Sequence, residues 1–362
     1  MAKPLILVTG AAGNTGGAVV NALIQNGFPV RAMVRRVDAR SASLQARGAE
    51  IALADLQDEE RLAAALRGVK RAYFVPPFAA DMTKGAQAFA SAVKAEGLEA
   101  VSVMSQWIAS PDHPALLTRM HHEVDQMFAA LPGLAHITIA PGYFADNYLR
   151  LIDFAAHLGI LPNLTGSSRN APPSNEDIGR VAAATLMQPE SHAGMRYRPT
   201  GPQLLSVPEM AQILTRVVGH RVRAIPMPFW LFLKAARMQG VAPFDLDSLS
   251  YYVKDHRQGA FELGAPNNDV LRVTGRPPES FEATARRYAD LPKAQASKAR
   301  AFRLFLDFMR TPFSPGYDLA AFERAQNFPK LERAVLAMEN PRWRALAGGQ
   351  GGTSFSRAST VA

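Results

Sequence analysis

Along the first 150 residues, short apolar runs alternate with stretches whose apolar positions return every three or four residues. PLILVT (4–9) is an unbroken apolar run closed by Gly10, the mark of a strand buried on both faces. From about Thr15 to Asn26 the spacing is helical, with Gly27 placed as a C-cap. FPVRAMVRR (28–36) and AEIALADL (49–56) repeat the strand pattern, the second entered through Gly48. DEERLAAALRG (58–68) reads as a helix, with acids in its first turn where the helix dipole favours them and a glycine at its end. VKRAYFVPP (69–77) is a fourth strand stopped by prolines, residues 81–96 are a helix up to Gly97, and LEAVSVMS (98–105) is a fifth strand. A helix over 115–131 and a sixth strand, LAHITIAPG (134–142), complete the series. Strand and helix alternating along this stretch predict an α/β fold with a doubly wound parallel sheet.

Beyond about residue 150 the rhythm loosens. SNEDIGRVAAATLMQP (174–189) and SVPEMAQILTRVVG (206–219) read as capped helices, with short extended pieces around 195–200 and 221–225. The expected organisation is a nucleotide-binding sheet domain over 1–155, a smaller α+β lobe on the substrate side over 156–290, a helical extension over 291–346 broken at Pro312, Pro315, Pro329 and Pro341, and a disordered Gly/Ser/Thr-rich tail over 347–362.

Composition narrows the chemistry. The 362 residues include no cysteine, which removes disulfides, thiolate metal sites and cysteine nucleophiles. The formal charge of +9 is uneven: from residue 291 onward 11 Lys+Arg face 5 Asp+Glu, so +6 of it belongs to the extension and the rest of the chain is close to neutral. With no recognised module and no stacking platform, nucleic acid is not an expected partner. No apolar run of about 18 residues exists, so no integral membrane association is expected. MAKPLILVTG lacks the pattern of a secretory signal, and a cytoplasmic location is the expectation. KAQASKARAFRLFLDFMR (293–310) is a basic amphipathic helix with Phe302, Phe305, Leu306 and Met309 on one face. That stripe is expected to pack on its own protein, with a homodimer, another partner or a membrane surface as the alternatives.

The stretch VTGAAGNTGG (8–17) carries the first chemistry. Gly10, Gly13 and Gly16 stand in G-x-x-G-x-x-G spacing directly after the first strand and before the first helix. Gly10 permits the tight turn, Gly13 lets the backbone approach a pyrophosphate, and Gly16 lets helix and strand pack closely, while the helix N-terminus offers amide donors. Asn14 and Thr15 fall within this loop and Pro76 ends the fourth strand, and all three are candidates to bind the cofactor. At the end of the second strand, where an NAD enzyme would hold an acid against the ribose hydroxyls, stand Arg35 and Arg36, with Arg31 earlier on the strand. Guanidinium groups there favour a 2′-phosphate, so NADP(H) is the expected cofactor. Asp38 keeps NAD(H) open, and Asp55 at the end of the third strand is placed to meet the adenine amino group.

With RAMVRR, LADLQD, YFVPPF, HHEVDQMF, APGYFADNYL and the long NEDIGRVAAATLMQPESHAGMRYRPTGPQLLSVPEMAQIL added, residues 3–290 resemble the NmrA-like group of atypical short-chain dehydrogenases/reductases. The resemblance implies a Rossmann domain and a soluble NAD(P)-binding protein. The group holds NAD(P)H-dependent quinone and isoflavone-type reductases, and also regulators that bind nucleotide without turning it over. Most short-chain dehydrogenases use a Tyr-x-x-x-Lys pair helped by a serine after the fifth strand. Ser105 is in place, but Leu117 and His121 stand where the pair should be, and no Y-x-x-x-K occurs in the chain. Alcohol–ketone chemistry is therefore not expected.

Quinones are a different case, because their reduced anion is aromatic and weakly basic and needs little help with protonation. Quinone-reductase members share the histidine in the lysine place, which implies that His121 orients the nicotinamide ribose or relays a proton. His122 and Glu123 read as solvent-facing, and H-H-E lacks zinc spacing, so no metal is expected. Beyond the strand ends, Phe78, Gln106, Trp107, Tyr143, Phe144, Asn147 and Tyr148 are the candidates to meet a flat small-molecule substrate, with Trp107 and Tyr143 foremost and Tyr143 beside Ser105 and His121 as a candidate catalytic group. The expected activity is an NAD(P)H-dependent reduction of quinone-like or conjugated carbonyl compounds. A non-catalytic nucleotide sensor acting through a protein partner is the alternative. On either reading the nucleotide site is not expected to depend on residues after 291.

Overall fold

The computed structural model describes residues 2–348. Its large sheet is built first from β1 (Ile6–Val8), β2 (Val30–Val34), β3 (Glu50–Leu53), β4 (Arg71–Phe74), β5 (Ala100–Met104) and β6 (Ala135–Ile139). Between them run α1 (Asn14–Gln25), α2 (Ala39–Ala46), α3 (Glu59–Leu66), α4 (Met82–Glu96) and α5 (Leu116–Ala129). After α6 (Ala145–Leu149), α7 (Ile152–Leu158), β7 (Ile160–Asn163), β8 (Arg169–Asn170) and α8 (Asn175–Met187), the chain returns to the sheet as β9 (Arg196–Tyr197). The strand order is β3-β2-β1-β4-β5-β6-β9, every pair parallel, the order of a Rossmann fold extended by one edge strand.

The apolar run of β1 is explained by its register. Ile6 pairs with Val30 on one side and Arg71 on the other, and both sheet faces are covered. Ile6 and Val8 point to the face packed by α1 and α8, with Val19, Leu23, Ile178 and Val181. Leu7 points to the opposite face, with Phe74 and Val103 of β4 and β5 and with Leu62, Phe89 and Phe128 from α3, α4 and α5. There the rings of Phe74 and Phe89 stack at 4.5 Å, and each buried side chain of this size is worth about 1.5–3 kcal/mol. On the first face α1 and α8 touch at Gly179, where a Cβ would lie 2.6 Å from Ala18 Cβ. Helix 174–189 and the 195–200 strand, expected in the smaller lobe, thus complete the large sheet layer.

The rest of the chain stands over the C-terminal strand ends. β10 (Leu205–Ser206) pairs with β8, α9 (Val207–Val218) follows, and β11 (Arg223–Pro226) pairs with β7. Then come α10 (Phe229–Met238), α11 (Pro243–Arg257), α12 (Asp269–Thr274) and α13 (Phe281–Ala289), in a region where the sequence pattern is irregular. Leu149, Leu161, Met210, Leu214 and Phe281 form its core.

The extension holds α14 (Lys298–Arg310), α15 (Leu319–Ala325) and α16 (Pro341–Gly348), and it is tied in rather than set apart. Trp343 is buried with Ile108, Phe261 and Ala337, and its indole donates to the Trp107 carbonyl at 3.0 Å. The buried pair His113–Asp255 (2.8 Å) anchors the same seam, with Asp255 accepting from the Ala337 amide. The expected tail is described only at Ala347 and Gly348, which are helical because α16 runs through them, and its other residues lie outside the described range.

α14 turns over the sequence expectation for its faces. Leu304 and Phe308 face the protein, whereas Phe302, Phe305 and Met309 of the expected packing stripe are 63%, 49% and 52% exposed. The physical reason is that the helix is apolar on two sides, and the side carrying Leu304 and Phe308 finds the cavity described next.

Candidate nucleotide and substrate site

Gly10 takes a left-handed φ of +58°, so the chain reverses directly after β1 with Val75 alongside. A Cβ at position 16 would lie 2.2 Å from the Gly10 carbonyl oxygen, which leaves glycine alone able to start α1 this close to the turn. Helix α1 has Gly13 at its N-cap and no side-chain cap, so its first-turn amides keep no local acceptor. Asn14 donates to Asp146 on α6 at 3.2 Å, joining the loop to the second lobe.

At the far end of β2, Arg35 and Arg36 are exposed. Asp38 is engaged elsewhere: it caps α2 through the Arg40 and Ser41 amides, and Arg40 holds its carboxyl down to about 2. Arg31 also departs from expectation, because its guanidinium turns to Glu50 and to the carbonyls of Ala65 and Arg67 and so fixes the end of α3. Asp55 is exposed at the end of β3 and accepts the Gln57 amide.

From Asn14, Thr15 and Pro76 one cavity of about 1030 Å³ runs past Ser105, Gln106 and His121 to Tyr143, Phe144 and Asn147, and on between α10, α11 and α14. His121 is buried on α5, and its Nδ1 has no hydrogen-bond partner among the described residues. Burial lowers its pKa to about 4 despite the attraction of Asp125, so the ring is neutral near pH 7. Ser105 donates its hydroxyl proton to Asp125 at 2.6 Å. Arg196 on β9 reaches the same carboxylate at 2.9 Å, which leaves Ser105 as an acceptor toward the cavity. Arg196 also holds the Gln106 carbonyl at 2.5 Å, and the Gln106 amide oxygen accepts from Thr118. Sequence reasoning missed Arg196, which is 71 residues from its partner and announced by no motif.

Tyr143 lines the cavity with its hydroxyl pKa pushed up to about 12 by burial. The ring packs edge-on to Tyr148, whose hydroxyl meets His256 at 2.9 Å; the other nitrogen of His256 meets Ser168 at 2.6 Å. Phe78 is half open at the cavity edge, its ring against Phe244. Trp107 is not in the cavity: its indole donates to the Ala260 carbonyl, and the Arg198 guanidinium lies 3.9 Å over its ring. The cation–π contact and the Trp343 edge draw it to the extension instead. His122, expected in solvent, is half-buried, and Glu123 is exposed. The irregular stretch FWLFLKAARM supplies Leu231, Phe232 and Met238 to the cavity, a contribution that only its continuous apolar character could have signalled.

The sequence pattern of the NmrA-like family matches residues 2–247. This chain belongs to the NmrA-like family. An NAD(P)H azoreductase of Xenophilus azovorans is 30% identical over 290 residues, 79% of this chain and 98% of that protein. Quinone oxidoreductase 2 of Escherichia coli is 26% identical over 282 residues, 75% of this chain and 94% of that protein. Among solved structures, the NADPH-dependent quinone oxidoreductase of Escherichia coli in complex with NADPH superposes with a TM-score of 0.67 at 22% identity, over 78% of this chain and 99% of that one. These relatives are oxidoreductases, and about a fifth to a quarter of this chain lies outside each of these three alignments. No helix among the described residues is long and apolar enough to cross a membrane.

Proposed function

We propose that this protein is an NADP(H)-dependent reductase of flat conjugated carbonyl compounds, quinones foremost. The observation that carries the reading is the single cavity that starts at the uncapped N-terminus of α1 and ends among aromatic side chains, with His121, Ser105 and Tyr143 between. The loop fits a dinucleotide on its own geometry: first-turn amides without a side-chain acceptor, and a backbone so close at Gly16 that no side chain intervenes. Arg35 and Arg36 are the groups for a 2′-phosphate, and Asp55 for the adenine amino group. NADH is expected to serve more weakly.

When bound, a reduced nicotinamide supplies the hydride. The chain does the positioning. His121, neutral in the buried wall, offers a hydrogen bond without a charge, which suits a ribose hydroxyl. Ser105, its proton committed to Asp125, accepts. Tyr143 at about 12 is a weaker acid than an ordinary phenol near about 10. It therefore donates a hydrogen bond to the acceptor oxygen, and the proton that completes a hydroquinone comes from water. Such a site suffices for quinones and azo or enone compounds and not for simple ketones, whose alkoxide products need a proton in the transition state.

The test is the loss of absorbance of NADPH with a panel of quinones, azo dyes, enones and simple ketones. Turnover of the conjugated compounds and none of the ketones is expected. Tight nucleotide binding with no turnover of any of them would overturn the reading in favour of nucleotide sensing.

A further inference from the structure

The outer part of the cavity is lined mainly by apolar side chains out to its mouth, with Asp307 and Gln239 among them. Phe313, Met309 and Met238 line it and are also 89%, 52% and 42% exposed, so they form its rim. The two elements that carry the rim are joined: Lys234 donates to the Pro312 carbonyl, and Thr311 touches the Met238 sulfur. Away from the cavity, the same helix α14 presents Phe302 and Phe305 to solvent, and Trp230 on α10 is 58% exposed. Lys298, Arg303 and Arg310 are exposed beside these rings, and the one acid of α14, Asp307, lines the cavity. Large apolar groups ringed by cations, with the acid turned inward, make a surface complementary to an apolar layer beneath anionic headgroups.

We infer that α14 and the rim of the cavity rest on an anionic lipid bilayer, and that the acceptor enters the cavity from it as a compound with a flat conjugated head and an apolar tail. Phe302 and Phe305 enter the acyl boundary, Lys298, Arg303 and Arg310 meet lipid phosphates, and the mouth between Met238, Met309 and Phe313 opens into the hydrocarbon without exposing an apolar tail to water. The headgroup contact needs no reductase activity. The cargo rests on the reductase reading above, and the two parts fail separately.

The experiment is sedimentation of the full chain with vesicles of phosphatidylcholine alone and of phosphatidylcholine with phosphatidylglycerol, at low and high salt, beside Phe302→Ser/Phe305→Ser and Arg303→Gln/Arg310→Gln. All four positions are exposed, so the variants keep their fold, which NADPH turnover with a water-soluble quinone checks. Expected are sedimentation with the anionic vesicles only, release at high salt, and at least about a tenfold loss of partitioning in each double variant. Soluble-quinone turnover stays unchanged, while turnover of a long-tailed quinone held in vesicles falls in both. Failure of the wild type to sediment with anionic vesicles, or equal sedimentation of the variants, would overturn the bilayer contact. Concentration-dependent dimers abolished by the same substitutions would assign the face to a second copy and overturn it too. Bilayer binding with equal turnover of soluble and long-tailed quinones in every variant would overturn the cargo alone.

Discussion

The glycine loop and the C-terminal extension meet the same cavity from opposite ends, and they are built by opposite means. At the loop the chain needs three glycines within seven residues, a strand before them and a helix after them, and the result is a surface of backbone amides. At the extension, groups far apart along the chain are brought together: Trp343 under Trp107, Asp255 between His113 and the Ala337 amide, Lys234 of α10 at the Pro312 carbonyl. A site made of backbone tolerates change around it but not at its glycines. A wall made of side chains fails when one large member is removed. The nucleotide end can therefore be shared widely in a family while the substrate end differs from member to member.

The harshest way to break the comparison is at the seam. Trp343 fills a buried place beside Ile108 and Phe261 and satisfies its indole on the Trp107 carbonyl. Trp343→Ala should lower unfolding free energy by about 3–5 kcal/mol, read by chemical denaturation. A cost below about 1 kcal/mol would mean that the extension lies loosely on the protein. The sequence expectation that the nucleotide site is independent of residues after 291 is sharpened by the same variant. The seam touches the loop after β5, which carries Gln106, so acceptor turnover should drop further than NADPH affinity.

At the other end the decisive position is Gly16. With an added Cβ 2.2 Å from a backbone oxygen, Gly16→Ala must move either the turn or the helix. NADPH affinity measured by calorimetry is expected to fall on the order of a hundredfold. Gly17→Ala is the control, since its Cβ would make ordinary contact at 3.4 Å with the Ala11 oxygen. Equal losses in both would show that helix propensity, not the turn, sets the affinity.

How much of this was legible in the chain follows the same division. The alternation of strands and helices, the loop and the burial of β1 on both faces could be read because apolar period and glycine spacing are local signals. Helix α2 escaped because it is eight residues long with only Ser41 and Leu44 buried, so it carries no apolar stripe. Arg31 was drawn into the nucleotide reading by Arg35 and Arg36, but it lies within β2 while they follow its end, and beside the neighbouring strand it turns to Glu50. The faces of α14 were misjudged because both are apolar, and only the fold decides which of them meets the cavity. Trp107 was assigned by its place after β5, while its direction is set by Arg198 and Trp343, far along the chain.

Cofactor choice is a smaller effect and separates two arginines on one strand end. Arg36 leans to Asp38 at 3.6 Å. Arg35 is therefore the stronger candidate for the 2′-phosphate, and Arg35→Ala should weaken NADPH binding by about 1–3 kcal/mol while leaving NADH nearly unchanged. Equal weakening of both cofactors by titration would make the arginine a structural group and remove the basis for preferring NADP(H).

The smallest effect concerns the wall between the two ends. His121 holds its pKa near 4 because burial disfavours the cation more than Asp125 supports it, and Arg196 opposes protonation further. Unfolded, the same ring titrates near about 6.5. Above that pH both states are neutral and the group contributes no pH dependence. As pH falls through the unfolded value the unfolded chain takes up a proton that the folded protein refuses, so stability is lost at up to about 1.4 kcal/mol per pH unit until the folded pKa is reached. His136 and His256 are also lowered to about 4 by burial, so the acid sensitivity of the protein alone does not identify one ring. The difference between wild type and His121→Gln does, because glutamine keeps a polar side chain there but cannot titrate. Urea unfolding at pH 7, 6 and 5 should give a shallower fall for the variant by that amount per unit. Parallel curves would mean that His121 titrates like an exposed histidine, and its role as a neutral hydrogen-bonding group beside the nucleotide would have to be given up.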